Sequence, residues 1–213
     1  FGSLLVVQPV LALSLMLTLL FSAWAEKRHM QTAEAFWAVA LTASVGGVVV
    51  LGRPLPGTRD PATWEWGVVV GTAATVIILA YAIASRRPPA GKALIFGAAC
   101  GAMYGYQAVF SKVAVDDFVD GGVLGLVTSW QLWAMLLAAT AGTVVQQYAF
   151  AAGNLATSLP ASKIVEPLVA FSLGLFLLGE SFRVDSVLGW VAVGTSTGVM
   201  LVSAAMLTRV SIK

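Results

Sequence analysis

The stretch Leu159-Pro160-Ala161-Ser162-Lys163-Ile164-Val165-Glu166-Pro167 sets a lysine and a glutamate three positions apart, between two prolines, at the head of an apolar run to Leu178. On a helix, residues three apart share a face, so Lys163 and Glu166 can pair. Pro160 suits the first turn of a helix, whereas Pro167 removes a hydrogen bond within it. In hydrocarbon, a freed backbone carbonyl and an ionised carboxylate both need a partner or a water-filled cavity. If Pro160 marks the membrane entry, Lys163 lies about one turn inside and can snorkel to the surface, while Glu166 lies about two turns inside. The pair reads as a substrate- or proton-linked site opening inward, or as a structural ion pair securing a helix end.

Other polar groups in apolar surroundings are candidates for the same site: Gln8, Tyr104, Gln107 and the Gln146-Gln147-Tyr148 run. Such groups in hydrocarbon face a cavity or another helix. Gln147 is the expected neighbour of Glu166. Trp24, Trp64, Trp66, Trp130 and Trp133 read as an interfacial belt, with Gln131 beside the last two. Gly97, Gly101 and Gly105 recur at four, as do Gly67 and Gly71, and Gly194 and Gly198; these spacings let helix backbones approach closely. Asp116, Asp117 and Asp120 read as a solvated loop end, with weak divalent-cation binding as the sharper alternative. No nucleophile–base arrangement or nucleotide-binding loop is present, so no catalytic residue, metal ligand or cofactor is expected. His29 is the one histidine and Cys100 the one cysteine.

These groups must be held by a membrane scaffold. The chain has 213 residues, 59% hydrophobic and 10% charged, with a mean hydropathy of +0.89. A soluble domain carries about 25% charged residues. Net charge is only +2, which gives no reason to expect a nucleic-acid partner. Seven apolar segments can be drawn: Phe1–Ala25, about Ala35–Gly52, Gly67–Ser85, Ala93–Ser111, about 124–147, about Thr157–Leu178 and about Ser186–Leu207. A polar break at Gly153-Asn154 separates the fifth from the sixth. The predicted fold is all-α, a polytopic membrane helix bundle with seven transmembrane helices.

Alternating sides, the loops on one face receive Lys27 and Arg28, then Arg86, Arg87 and Lys92, then Arg209 and Lys213. The other face receives Arg53 and Arg59 against Asp60 and Glu65, then the three aspartates, then Glu180, Arg183 and Asp185. The positive side is cytoplasmic, which puts the C-terminus inside a multi-pass protein of the cytoplasmic membrane. Gln8-Pro9-Val10-Leu11-Ala12-Leu13-Ser14-Leu15 parallels Glu166-Pro167-Leu168-Val169-Ala170-Phe171-Ser172-Leu173, each run ending near an acid, Glu26 or Glu180. The charge rule runs the two segments in opposite directions, the relation of an inverted repeat. Residues 1–52 are then the last two helices of a first repeat, 53–66 an external loop, and 67–213 a five-helix second repeat. Two or three further helices are expected before Phe1.

The motif Gln147-x-x-Phe150-x-x-Gly153-x-Leu155-x-x-Ser158-Leu159-Pro160, then Glu166-Pro167-Leu168, Leu173-Gly174 and Gly179-Glu180, resembles the drug/metabolite transporter superfamily in its EamA-like branch. Gln8-Pro9 and Ala25-Glu26 look like a weaker first copy. Lys163 departs from the pattern, which carries an uncharged residue there. The resemblance implies nine or ten helices in an inverted-repeat fold, a central cavity, and ATP-independent movement of a small metabolite by alternating access. Glu166, Lys163, Gln147, Gln107, Tyr104 and Gln8 are the candidate substrate-binding residues, with Pro160, Pro167 and Pro9 as helix breaks. The alternatives are a non-transporting subunit of a larger membrane complex, magnesium-type cation transport, and flipping of a lipid-linked headgroup. Expected partners are the lipid bilayer, a small-molecule substrate, and a second copy or another membrane protein.

Overall fold

Seven helices run through the described residues: α1 (Leu4–Ala25), α2 (Thr32–Gly52), α3 (Thr63–Ala84), α4 (Pro89–Thr128), α5 (Trp130–Ala151), α6 (Leu155–Phe176) and α7 (Val187–Val210). The computed structural model describes residues 3–25, 31–57, 59–152 and 155–210. The readings placed on Glu26, Lys27, Arg28 and His29, on Gly153-Asn154 and on Lys213 lie outside them. Among the described residues α2, α3, α4, α6 and α7 are long and apolar enough to cross a membrane. The protein is a polytopic, all-α membrane bundle.

Small residues set the closest packing. Gly97 of α4 lies against the backbone of Ser158, Gly101 against that of Ser162, and Gly105 against the Glu166 carbonyl and Val169. A Cβ at any of the three would collide, so the stripe brings α4 and α6 to backbone contact. The numbers rise together along both helices, so α4 and α6 run parallel. Gly194 and Gly198, expected to pack in the same way, instead stand in open space with nothing within 4 Å of a Cβ. Gly47 of α2 fills the packing role on that side, against Ser196 of α7, and Gly52 meets the Phe182 ring. Helix α2 therefore runs antiparallel to α7.

A two-residue strand after α2, β1 (Pro54–Leu55), pairs antiparallel with β2 (Ser181–Phe182) after α6. Arg59 donates from its guanidinium to the Phe176 carbonyl at 2.9 Å and pairs with Glu65. The ends of α2 and α6 and the start of α3 are thus tied together at one end of the bundle. Helix α3 begins at Thr63, four residues before the predicted boundary. Its Glu65 carboxylate accepts the Ala62 amide at 2.8 Å, satisfying a donor at the helix start.

The bilayer end of α4 departs most from the sequence reading. Asp116, Asp117 and Asp120 were expected in a loop beyond a segment ending at Ser111, but the helix continues through Lys112 and the three acids and breaks at Gly122, with φ 63° and ψ −155°. Only glycine holds that conformation without strain. The acids ride an exposed or half-buried helix face, and Asp117 accepts the Ser129 hydroxyl at 2.5 Å across the turn into α5. Helix α5 consequently starts at Trp130, not near 124. Pro160 sits in the second turn of α6, which starts at Leu155 and not at the proline. Trp66, assigned to the interfacial belt, is instead buried against Phe110 and Trp130, with ring centroids 5.7 and 5.2 Å away.

Candidate functional site

Helices α1 and α6 each carry a polar residue immediately before an internal proline: Gln8-Pro9 and Glu166-Pro167. Both polar side chains line the same two hollows. A cavity of about 410 Å³ is walled by Gln8, Tyr104, Gln107, Ser111, Lys112 and Glu166, with Leu4, Val7 and Leu11 as apolar lining. A smaller one of about 210 Å³ shares Gln8, Leu11 and Glu166, and adds Ser14, Lys163 and Pro167. The structure therefore gathers Gln8, Tyr104, Gln107, Lys163 and Glu166 around one region between α1, α4 and α6. Gln147 is not in either wall; it is exposed on α5. Its neighbour Gln146 takes the inward position and accepts the Tyr104 hydroxyl at 3.2 Å.

Lys163 Nζ donates to Glu166 Oε2 at 3.0 Å, with the side chains 39% and 19% exposed. The pair is partly exposed in the wall of the smaller hollow. Gln8 is 3% exposed, and its Nε2 finds no acceptor among the described residues. Burying an amide donor without a partner costs about 1–3 kcal/mol. A cavity ligand or water that accepts from it would remove that cost.

A second ionic site was missed by the sequence reading, which placed Glu180 in a solvated loop. Its side chain is fully buried and takes four donors. Oε1 accepts Lys112 Nζ at 2.6 Å and the Leu4 amide at 2.7 Å; Oε2 accepts the Ser3 hydroxyl at 2.8 Å and the Leu5 amide at 3.1 Å. A carboxylate on the first amides of a helix meets both free donors and the positive end of its dipole. Glu180 thus fixes the start of α1 to the end of α6, so those helices run antiparallel. Gly179, at φ 69°, turns the chain so that Glu180 points inward, and the Glu180 amide closes on the Gly174 carbonyl at 2.9 Å. A Cβ on Gly174 would come within 2.9 Å of Glu180 Oε2. The signal available in the sequence was Gly174, Gly179-Glu180 and Lys112 directly after the apolar run 93–111.

Lys112 also lines a third hollow of about 350 Å³, with Arg59, Asp60, Asp116, Asp117 and Asp120. It therefore stands in the wall between the Gln8–Glu166 cavity and a charged vestibule at the Glu180 end. Among the described residues no three His, Cys, Asp or Glu side chains gather to hold a metal ion.

An uncharacterized protein of Corynebacterium glutamicum is 48% identical over 211 residues, spanning 99% of this chain and 73% of that protein. No family model matches the chain. No solved structure matches it either.

Proposed function

We propose, for a chain that belongs to the same family as the Corynebacterium glutamicum protein, a secondary transporter that moves a small metabolite across the cytoplasmic membrane by alternating access. One observation carries this reading: two antiparallel helices each deliver the residue before a proline, Gln8 and Glu166, into one cavity. Both helices run unbroken through these prolines, against the expected helix breaks at Pro9, Pro160 and Pro167; each proline still frees a backbone carbonyl beside a polar side chain, and polar groups held at a cavity within membrane helices are the form a transporter site takes. The same convergence supports the inverted repeat, and with the Gly179-Glu180 ending it supports kinship with the EamA-like transporters and a full complement of nine or ten helices. Arg86 and Arg87 on the turn before α4 and Lys92 in its first turn support a cytoplasmic setting for the end opposite Glu180. Lys112 and Glu180 close the cavity toward the outer vestibule, and the Lys163–Glu166 mouth opens inward. The buried Gln8 amide, which finds no acceptor among the described residues, supports a hollow that holds water or a polar ligand.

The test is flux. Full-length protein in proteoliposomes is screened with a panel of labelled small metabolites. A metabolite moved by the wild type is lost with Gln8→Leu and Glu166→Gln, while both variants stay folded. Failure of water-soluble thiol reagents to reach Glu166→Cys from either side would remove the cavity and the reading with it.

A further inference from the structure

A groove lies at the other end of the bundle from Glu180. It has a volume of about 450 Å³ and lies where α3 ends, α4 begins and α5 ends. Tyr81, Ser85, Lys92, Phe96 and Tyr148 line it. Tyr81 and Tyr148 are 63% and 52% exposed, and the Phe96 and Tyr148 rings lie 5.7 Å apart. Aromatic side chains with one apolar and one polar end collect at the headgroup level of a bilayer.

The electrostatics are of one sign. Lys92 lines the groove itself, while the exposed Arg86 and Arg87 on the turn into α4 border a neighbouring hollow with Ala82 and Ile83; none of the three forms an ion pair with a described residue. No aspartate or glutamate occurs between Glu65 and Asp116, or between Asp120 and Glu166. The parts of α3, α4 and α5 that build the groove therefore bring no counter-charge of their own. The start of α4 adds the positive dipole end of a long helix, with amides from Ala90 and Gly91 because Pro88 and Pro89 carry no N–H. Nearby, α3 and α4 expose Leu79, Ile83 and Leu94, an apolar surface of the kind acyl chains cover. We infer that this groove binds the phosphate headgroup of an anionic phospholipid, with its acyl chains along α3 and α4. Basic pockets between helices on the positive side of a membrane protein are suited to such headgroups. The site is separate from the Gln8–Glu166 cavity and does not depend on transport.

The experiment is native mass spectrometry of delipidated full-length protein titrated with phosphatidylglycerol, with phosphatidylcholine, and with inorganic phosphate. Phosphatidylglycerol is expected to bind at least ten-fold tighter than phosphatidylcholine, and millimolar phosphate is expected not to displace it. The combined variant Arg86→Gln, Arg87→Gln, Lys92→Gln should lose that preference, and Tyr148→Leu should weaken it several-fold. Arg53→Gln, at the opposite end, should leave it unchanged. Equal affinity for the two lipids, or a preference that survives the combined variant, overturns the proposal. Displacement by phosphate alone overturns it in favour of a free anion. Should the combined variant not stay monodisperse, Tyr148→Leu decides by the same readout: an unchanged preference overturns the site.

Discussion

Lys112 Nζ stands 2.6 Å from Glu180 Oε1, joining the interior of α4 to the turn beyond α6, and the same carboxylate holds the first amides of α1. With side chains 9% and 0% exposed, both charges have lost most of their water. Removing one partner of such a pair strands the other and costs about 3–5 kcal/mol. Lys112→Met is therefore expected to destabilise the bundle by that order. Adding Glu180→Gln to Lys112→Met should recover part of the loss, because the amide oxygen still accepts from Leu4 and no charge is left buried. Denaturant unfolding of the detergent-solubilised variants measures this. A double variant no more stable than Lys112→Met would show that the charge pairing is not the source of the stability.

The Lys163–Glu166 pair should behave in the opposite way. Its side chains are 39% and 19% exposed, and on the transport reading water fills the hollow beside them and screens the attraction, which keeps the contribution to stability below about 1 kcal/mol. Lys163→Gln and Glu166→Gln are each expected to shift the unfolding temperature by no more than about 4 °C. Both should still reduce flux of whatever metabolite the wild type moves. A large loss of stability with unchanged flux would make the pair a structural fastening.

The glycines divide by what faces them. A Cβ on Gly101 would strike the Ser162 backbone, which cannot move aside without separating α4 from α6. Gly101→Ala should cost about 1–3 kcal/mol as an overpacked contact. Gly198 meets nothing within 4 Å, so Gly198→Ala should be neutral or stabilise α7 by up to about 1 kcal/mol through helix propensity. Thermal unfolding of the two variants side by side tests the assignment. Equal effects would mean that spacing alone, and not the facing backbone, governs these positions.

That contrast also shows how far the sequence could be read. Length and apolar content set the helices, and prolines after Gln8 and Glu166 marked the two that meet at the cavity. Spacing at four could not distinguish Gly101 from Gly198, because it records which residues share a face and not what that face meets. Charge placed Glu180 in water for a related reason: hydropathy counts a carboxylate as solvated wherever it stands, and only the fold shows four donors converging on it. Gln146 and Gln147 are one position apart, and helix rotation, fixed by packing on α4, decided which one reached Tyr104.

Helix α4 gives the most direct check of orientation. From Pro89 to the break at Gly122 it runs unbroken, about 50 Å at 1.5 Å per residue, against a hydrocarbon core of about 30 Å. Pro89 and Phe118 are both exposed and lie about 44 Å apart along it, so one membrane-crossing helix presents them to opposite sides. In a Cys100→Ala background, an impermeant thiol reagent added outside intact cells should label Phe118→Cys and spare Pro89→Cys until the membrane is opened. The reverse order would put the Arg86-Arg87 loop outside the cell and invert the inward-opening mouth at Glu166. Labelling of both from one side would mean that α4 does not cross the bilayer, and the cavity built on it would lose its transmembrane setting.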